Sequence, residues 1–183
     1  LTIDRPSTDY VGLFSRIGNG GKVRNLTIEN AQGQGKNYVG VLAGKNNGTT
    51  TNAGVEGGNV TGQGDYVGGL VGTNGRNGTI KQVYVTGKVT GQSYVGGLVG
   101  TNERQGTIQE AFSTGNITGN KNVGGLVGGQ NGGTIQQAYA TGDVMGQDTV
   151  GGLVGRPNDG TIQQAYATGD VAGQGDRVGG LVG

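Results

Sequence analysis

The chain has 183 residues, of which 45 are glycine, two are proline and none is cysteine or histidine; thirteen Lys and Arg against twelve Asp and Glu leave a formal net charge of +1. Disulfides, thiolate chemistry, zinc sites with His or Cys ligands and Ser-His-Asp triads are thereby excluded, and so is the basic footprint of a nucleic-acid binder. No apolar run approaches the roughly 20 residues that span a bilayer, so no membrane insertion is expected, and "LTIDRPSTDY" lacks the charged-then-apolar pattern of a secretion signal.

Read along the chain, one element returns. "VGLF" stands at Val11, "VGVLAG" at Val39, and "VGGLVG" at Val67, Val95, Val123, Val150 and Val178. The seven valines are 28, 28, 28, 28, 27 and 28 residues apart. Between the copies run "NGTIKQVYVTGKVTGQSY", "QGTIQEAFSTGNITGNKN", "GGTIQQAYATGDVMGQDT" and "DGTIQQAYATGDVAGQGDR". Three β-like segments are predicted per repeat: one around Thr79-Ile80, one at "VYV" or "AYA", and one at the hexapeptide. Val83 and Val85 flank Tyr84, and Ala138 and Ala140 flank Tyr139, which is strand alternation. No 3.6-residue periodicity occurs, so little or no helix is expected.

The period selects the architecture. Propeller blades need about 40 to 50 residues and helical-pair repeats about 33 or more, and the L-x-x-L-x-L pattern of leucine-rich repeats is absent. Three short strands cannot bury their own apolar face, but stacked on an identical unit about 4.8 Å away they gain ladder hydrogen bonds on both sides. The prediction is an all-β chain: a right-handed parallel β-helix of about 28 residues per coil, six coils plus a part, roughly triangular in section. Val67 and its copies, Leu70 with Leu98, Leu126, Leu153 and Leu181, and Ile80 with Ile108, Ile135 and Ile162 become columns. Strict alternation puts Val67 and Leu70 on opposite faces and leaves the Leu70 column as an exposed apolar stripe that would point to a partner; a bend at Gly68-Gly69, the favoured reading, turns both inward.

At "VGGLVG" followed by "GTIQQAYATGDV", the sequence resembles the GLUG motif family of bacterial surface and secreted proteins, the motif being Gly69 to Gly72 and its later copies. The opening thirty residues are similar to the degenerate first coil of such arrays. The resemblance implies an extracellular or cell-surface location and a non-catalytic presenting segment of a large adhesin or filamentous-haemagglutinin-like protein. It also extends to IgA-directed metallopeptidases, but their H-E-x-x-H chemistry needs histidine and does not carry over. Residues 1–183 are expected to form a single repeat domain. Because the chain stops in the middle of a repeat, at "RVGGLVG", it is expected to be a fragment whose flanking domains are its first partners.

Two aromatic columns are the candidate ligand-binding features. Tyr10, Tyr38, Tyr66 and Tyr94 precede the repeat valine in four coils, and Tyr84, Phe112, Tyr139 and Tyr166 occupy the middle segment of four. Tyr38, Tyr66, Tyr94, Tyr139 and Tyr166 are singled out as a platform for a host-cell glycan or protein. The competing reading is mutual stacking, worth about 0.2–1 kcal/mol per pair.

Asp143 with Asp170, and Asp148 and Asp176 with Asp9 and Asp65, share registers and are read as solvated charge. The calcium nonapeptide G-G-x-G-x-D-x-U-x is not matched, so neither metal nor cofactor is expected. Thr79, Thr107, Thr134 and Thr161, and Thr86, Thr114, Thr141 and Thr168, are read as strand-end hydrogen-bonding groups. Gln82, Gln137 and Gln164, interrupted by Glu110, are read as a stacked amide ladder. Uncovered sheet edges at the two ends predict end-to-end self-association.

Overall fold

A computed structural model describes every residue, Leu1–Gly183. It has no helix, 63% of its residues are in strands, and the chain winds into a β-solenoid of about six turns with about 28 residues per coil. All strand pairs are parallel, and a shift of one repeat carries each residue onto its copy. Val95 lies between Val67 and Val123, and Ile108 lies between Ile80 and Ile135.

The coil that starts at Ser93 shows the plan. Ser93–Gly96 belongs to a five-stranded sheet, Val99–Asn102 and Thr107–Ser113 to a ten-stranded one, and Ile117–Thr118 to a seven-stranded one. This differs from the predicted segments in three ways. The hexapeptide is divided between two strands. The "TI" and "VYV" segments are one strand, Thr79–Val85, that bends where Gln82 takes φ 55°. The stretch after Thr-Gly, Lys88–Thr90 in one coil, forms a row of its own. It has three residues and a glycine on each side, too little alternation to register as a strand.

The apolar columns fill the interior. Val67, Val95, Val123 and Val150 are fully buried, as are Leu98, Leu126 and Leu153 and Ile80, Ile108 and Ile135. Thirty-four buried apolar residues form one continuous cluster. Each coil cannot shield its own interior, so burial comes from the neighbours above and below. The last rung shows this, because Leu181 is 40% exposed in the column whose inner members are at 0–1%.

The expected bend exists, one residue later than predicted: the chain turns at Gly69-Leu70, and both Val67 and Leu70 point inward. Its glycines are needed for space and not for conformation. Neither Gly68 nor Gly69 has positive φ. A Cβ on Gly68 would stand 2.7 Å from the Leu98 carbonyl oxygen, and one on Gly69 2.6 Å from Val85 Cγ1.

The left-handed positions belong to other residues. Tyr10, Tyr38, Tyr66, Tyr94, Asn122 and Thr149, each just before the repeat valine, all have φ between 54° and 63°. So do Asn25, Asn52, Gln82, Glu110, Gln137 and Gln164 at the mid-strand bend, with φ between 49° and 55°. Such a conformation costs an L-residue about 1–2 kcal/mol, and it recurs here in almost every coil. Stacked neighbours in the same conformation hold it in place.

One polar column is inside. Asn46, Asn74, Asn102 and Gln130 are 0–1% exposed. The Asn46 amide donates to Asn74 Oδ1 at 2.9 Å, Asn74 to Asn102 Oδ1 at 2.8 Å, and Asn102 to Gln130 Oε1 at 3.0 Å. Asn74 and Asn102 also donate to the carbonyls of Gly78 and Gly106, closing the turn that follows. This is the amide ladder of the molecule. The Gln82 register predicted for that role is mostly exposed and forms the mid-strand bend instead; within the register only Asn52 donates to its neighbour, Asn25, at 2.8 Å, while Gln137 accepts from Gln109 outside it at 3.4 Å.

Candidate functional site: two aromatic ladders and a polar corner

The sequence-selected tyrosines separate into two groups. Tyr38, Tyr66 and Tyr94 stack with Tyr10 in one ladder, with centroids 4.4, 4.7 and 5.1 Å apart and ring planes within 8° of parallel. Tyr139 and Tyr166 continue a second ladder from Tyr84 and Phe112, at 5.3, 4.9 and 5.1 Å and within 12°. The first is carried by the row before the repeat valine. The second is carried by the ten-stranded sheet, on the face opposite Val83 and Val85.

In both ladders the rings lie face to face, so inner faces are spent on neighbouring rungs and the edges point outward. The ladder ends are closed differently. The Arg16 guanidinium lies 3.9 Å from the Tyr10 centroid, and Arg156 Nη1 donates to the Tyr94 hydroxyl at 3.2 Å. Tyr84 lies over Gly54, where the ladder has no ring, and donates its hydroxyl to Glu56. Tyr166, the last ring of its ladder here, is 52% exposed. Burial first, then the neighbouring phenols, pushes Tyr38 above the usual tyrosine range. Burial also raises Tyr66, helped by Tyr94 and Asp65. For Tyr84 the bond to Glu56 is the main cause of an upward shift.

The carboxylates act within the rod. Asp9 Oδ1 accepts from the backbone and side-chain amides of Asn37, whose Oδ1 accepts the Asp65 N–H at 2.8 Å. Asn116 Oδ1 accepts the Asp143 N–H and Asp143 Oδ1 accepts the Asp170 N–H, so each side chain holds the next rung. Arg177 faces Asp148 at 3.9 Å. Lys81 pairs with Glu110 at 3.2 Å, and that hydrogen-bonded cation, followed by Gln82, holds the Glu110 carboxyl below its usual range. Of the threonines, Thr86 Oγ1 accepts the Gly57 N–H at 2.8 Å, in the strand-end role expected.

A polar corner had no counterpart in the sequence reading. Between the Val99–Asn102 and Thr107–Ser113 strand rows the turns differ in length. Eight positions separate Val71 from Thr79, but six separate the paired Ala43 from Thr49. Turn residues of successive coils line open recesses here. One of about 300 Å³ is bounded by Arg76, Glu103, Arg104, Asn131, Asn158 and Asp159, and no apolar side chain contributes. Lys45 reaches across Gly75 to Glu103, two coils away, at 3.4 Å. The readable signal was that residues before "GTI" change from repeat to repeat while their neighbours do not.

Comparison with known proteins agrees with the repeat. Residues 63–90, 91–118 and 119–145 each match the family described as the GLUG motif, so the chain carries three GLUG motifs. A 57-residue stretch, 31% of this chain, is 49% identical to halomucin of Haloquadratum walsbyi and spans 1% of that protein. Haloquadratum walsbyi is an archaeon, so the resemblance extends beyond bacteria. No solved structure matches.

Proposed function

We propose that this segment is a non-catalytic spacer or presenting module of a large surface or secreted prokaryotic protein of the adhesin type, with residues 1–183 acting as one domain. The observation that carries the reading is the stacked parallel register, broken only at the corner turn near Gln130–Gly133: ladder hydrogen bonds run along the axis, and the interior is filled by columns of like side chains. Such a stack resists bending and sets distance. The GLUG motifs, and the match to a far longer protein whose name marks it as mucin-like, support a surface location. No histidine or cysteine is present, and the Asp9 and Asp143 carboxylates are engaged in rung-to-rung bonds, which supports a role without chemistry.

The experiment is a binding screen of the folded 183-residue chain against host cells and a glycan array. Absence of saturable binding, with circular dichroism showing strand, supports the spacer. Turnover of a polysaccharide that is lost on changing Asp143 and Asp170 overturns it. A second reading, a glycan- or protein-binding module, is favoured by the outward ring edges of Tyr38, Tyr66, Tyr94 and Tyr139. A saturable hit abolished by Tyr66→Ala with Tyr94→Ala, or by Tyr166→Ala, selects it. End-to-end pairing of two copies belongs to the proposal as well. Leu13 and Phe14 at one end, and Val178, Leu181 and Val182 at the other, are exposed, and a size that grows with concentration in sedimentation tests it.

A further inference from the structure

Five asparagines begin the tripeptide Asn-x-Thr with no proline at x: Asn25, Asn47, Asn59, Asn77 and Asn116. That tripeptide is the acceptor for N-linked glycan on exported proteins, and it has meaning only where the amide is reachable. The structure sorts the five. Asn77 sits in the turn before Gly78 with φ 61°, is exposed, and makes no side-chain hydrogen bond. Asn25 and Asn116 are exposed, and each uses only its oxygen, accepting from the Asn52 side chain and the Asp143 N–H, so their Nδ2 atoms are free. Asn59 donates its Nδ2 to Gln32 at 3.3 Å.

Asn47 is an internal control. It begins the same Asn-Gly-Thr as Asn77, in the same register one rung away, since Thr49 pairs with Thr79. Its turn is two residues shorter, it is half-buried, and its side chain lies across Gly75, where an added Cβ would stand 3.2 Å from Asn47 Cγ. Identical local sequence therefore meets two different accessibilities.

We propose that Asn77, with Asn25 and Asn116, is an acceptor for N-linked glycan, and that Asn47 is not. The donor is a lipid-linked oligosaccharide phosphate or pyrophosphate. Asn77 Nδ2 forms a bond to C1 of the first sugar as the bond from C1 to the phosphate oxygen breaks. The lipid phosphate leaves with that electron pair, and one amide proton is lost to a base of the transferase. The three sites lie at different points of the coil, Asn77 in the turn before Thr79–Val85, Asn25 at the bend within Lys22–Glu29 and Asn116 just before Ile117–Thr118, so the sugar would clothe more than one side of the rod.

This inference rests on the surface reading, and the test separates the two. The full-length protein is taken from its source organism, protease treatment of intact cells reports whether it is at the surface, and peptide mass mapping reads each Asn-x-Thr. The expected result is a surface protein with glycan on Asn77, Asn25 and Asn116 and an unmodified Asn47. Thr79→Ala is expected to remove the mass from Asn77 alone, and Thr79→Ser to retain it. A surface-exposed protein with unmodified acceptors overturns the glycan and leaves the surface reading intact. A protein found only inside the cell overturns both. Equal occupancy of Asn47 and Asn77 overturns the assignment by accessibility.

Discussion

Two corners of the same coil have opposite histories of change. The Gly-Gly-Leu corner is written identically five times, whereas the corner before "GTI" varies in length and in almost every residue. At the first, backbone atoms of the next coil stand where a side chain would go: a Cβ on Gly96 would be 2.7 Å from Gly128 N and 2.8 Å from the Leu126 carbonyl oxygen. At the second, Arg76, Arg104 and Asn77 point into water. Uniformity along this rod records lack of room, and variation records its presence.

The sharpest way to break that contrast is to put a methyl group into the tight corner. Gly96→Ala should lower stability by about 3 kcal/mol, as overpacking against unyielding backbone does, and this is read as a fall in the urea midpoint. The same substitution at exposed Gly18, where nothing lies within 4 Å of the added carbon, should leave the midpoint unchanged.

Next in size is the buried amide column. Asn102→Leu strips Asn74 and Gln130 of their partner at once and leaves the Gly106 carbonyl without its donor, for a loss of about 2 kcal/mol. Asn102→Gln, the residue that already occupies the next rung at Gln130, should recover part of it.

Deleting Gln105 from the variable corner should cost less than about 1 kcal/mol, since loop length enters only logarithmically and the following coil already has one residue fewer there. A larger loss would mean that this corner is not free.

The smallest effect concerns the tyrosine ladder. The folded state holds Tyr38 and Tyr66 above the usual value of about 10, so their contribution is fully present below that pH and is lost as pH rises through the folded values. The melting temperature should therefore fall on the alkaline side, and less steeply in Tyr66→Phe. A ladder that titrates like free tyrosine by ultraviolet absorbance would count against the stacked arrangement.

Much of the fold could be read in advance because stacking turns sequence identity into spatial columns. Val67 and Ile80 announced the core through their copies alone, and Tyr84 between Val83 and Val85 announced that two faces differ; whether the Leu70 column was inside or an exposed stripe depended on a bend that two glycines permit but do not dictate. The parts that were not legible have physical reasons. Asn74 followed by Gly75 resembles an ordinary solvent turn, and a polar side chain signals burial only once its partners are known. The clue was there in Asn46, Asn74, Asn102 and Gln130, four amides in one unbroken register. A left-handed tyrosine is likewise invisible at Tyr66, because tyrosine has no preference for that conformation, and only Asn122 in the same column hinted at it. The two tyrosine columns were legible from their registers, but residue type reports that rings stack and not which of their faces remain free.

Parallel pairing in strict register has one more result. Residues 95–122 form a closed unit whose entry and exit meet at equivalent points, Tyr94 before Val95 and Asn122 before Val123, both with left-handed backbone. Removing that unit, or copying it, joins Tyr94 to Val123 or Asn122 to Val95 and recreates contacts already found elsewhere in the stack. Unequal crossing-over in the gene can thus shorten or lengthen the protein in steps of about 4.8 Å with nothing else to redesign. Reach becomes a quantity that a lineage can adjust by counting.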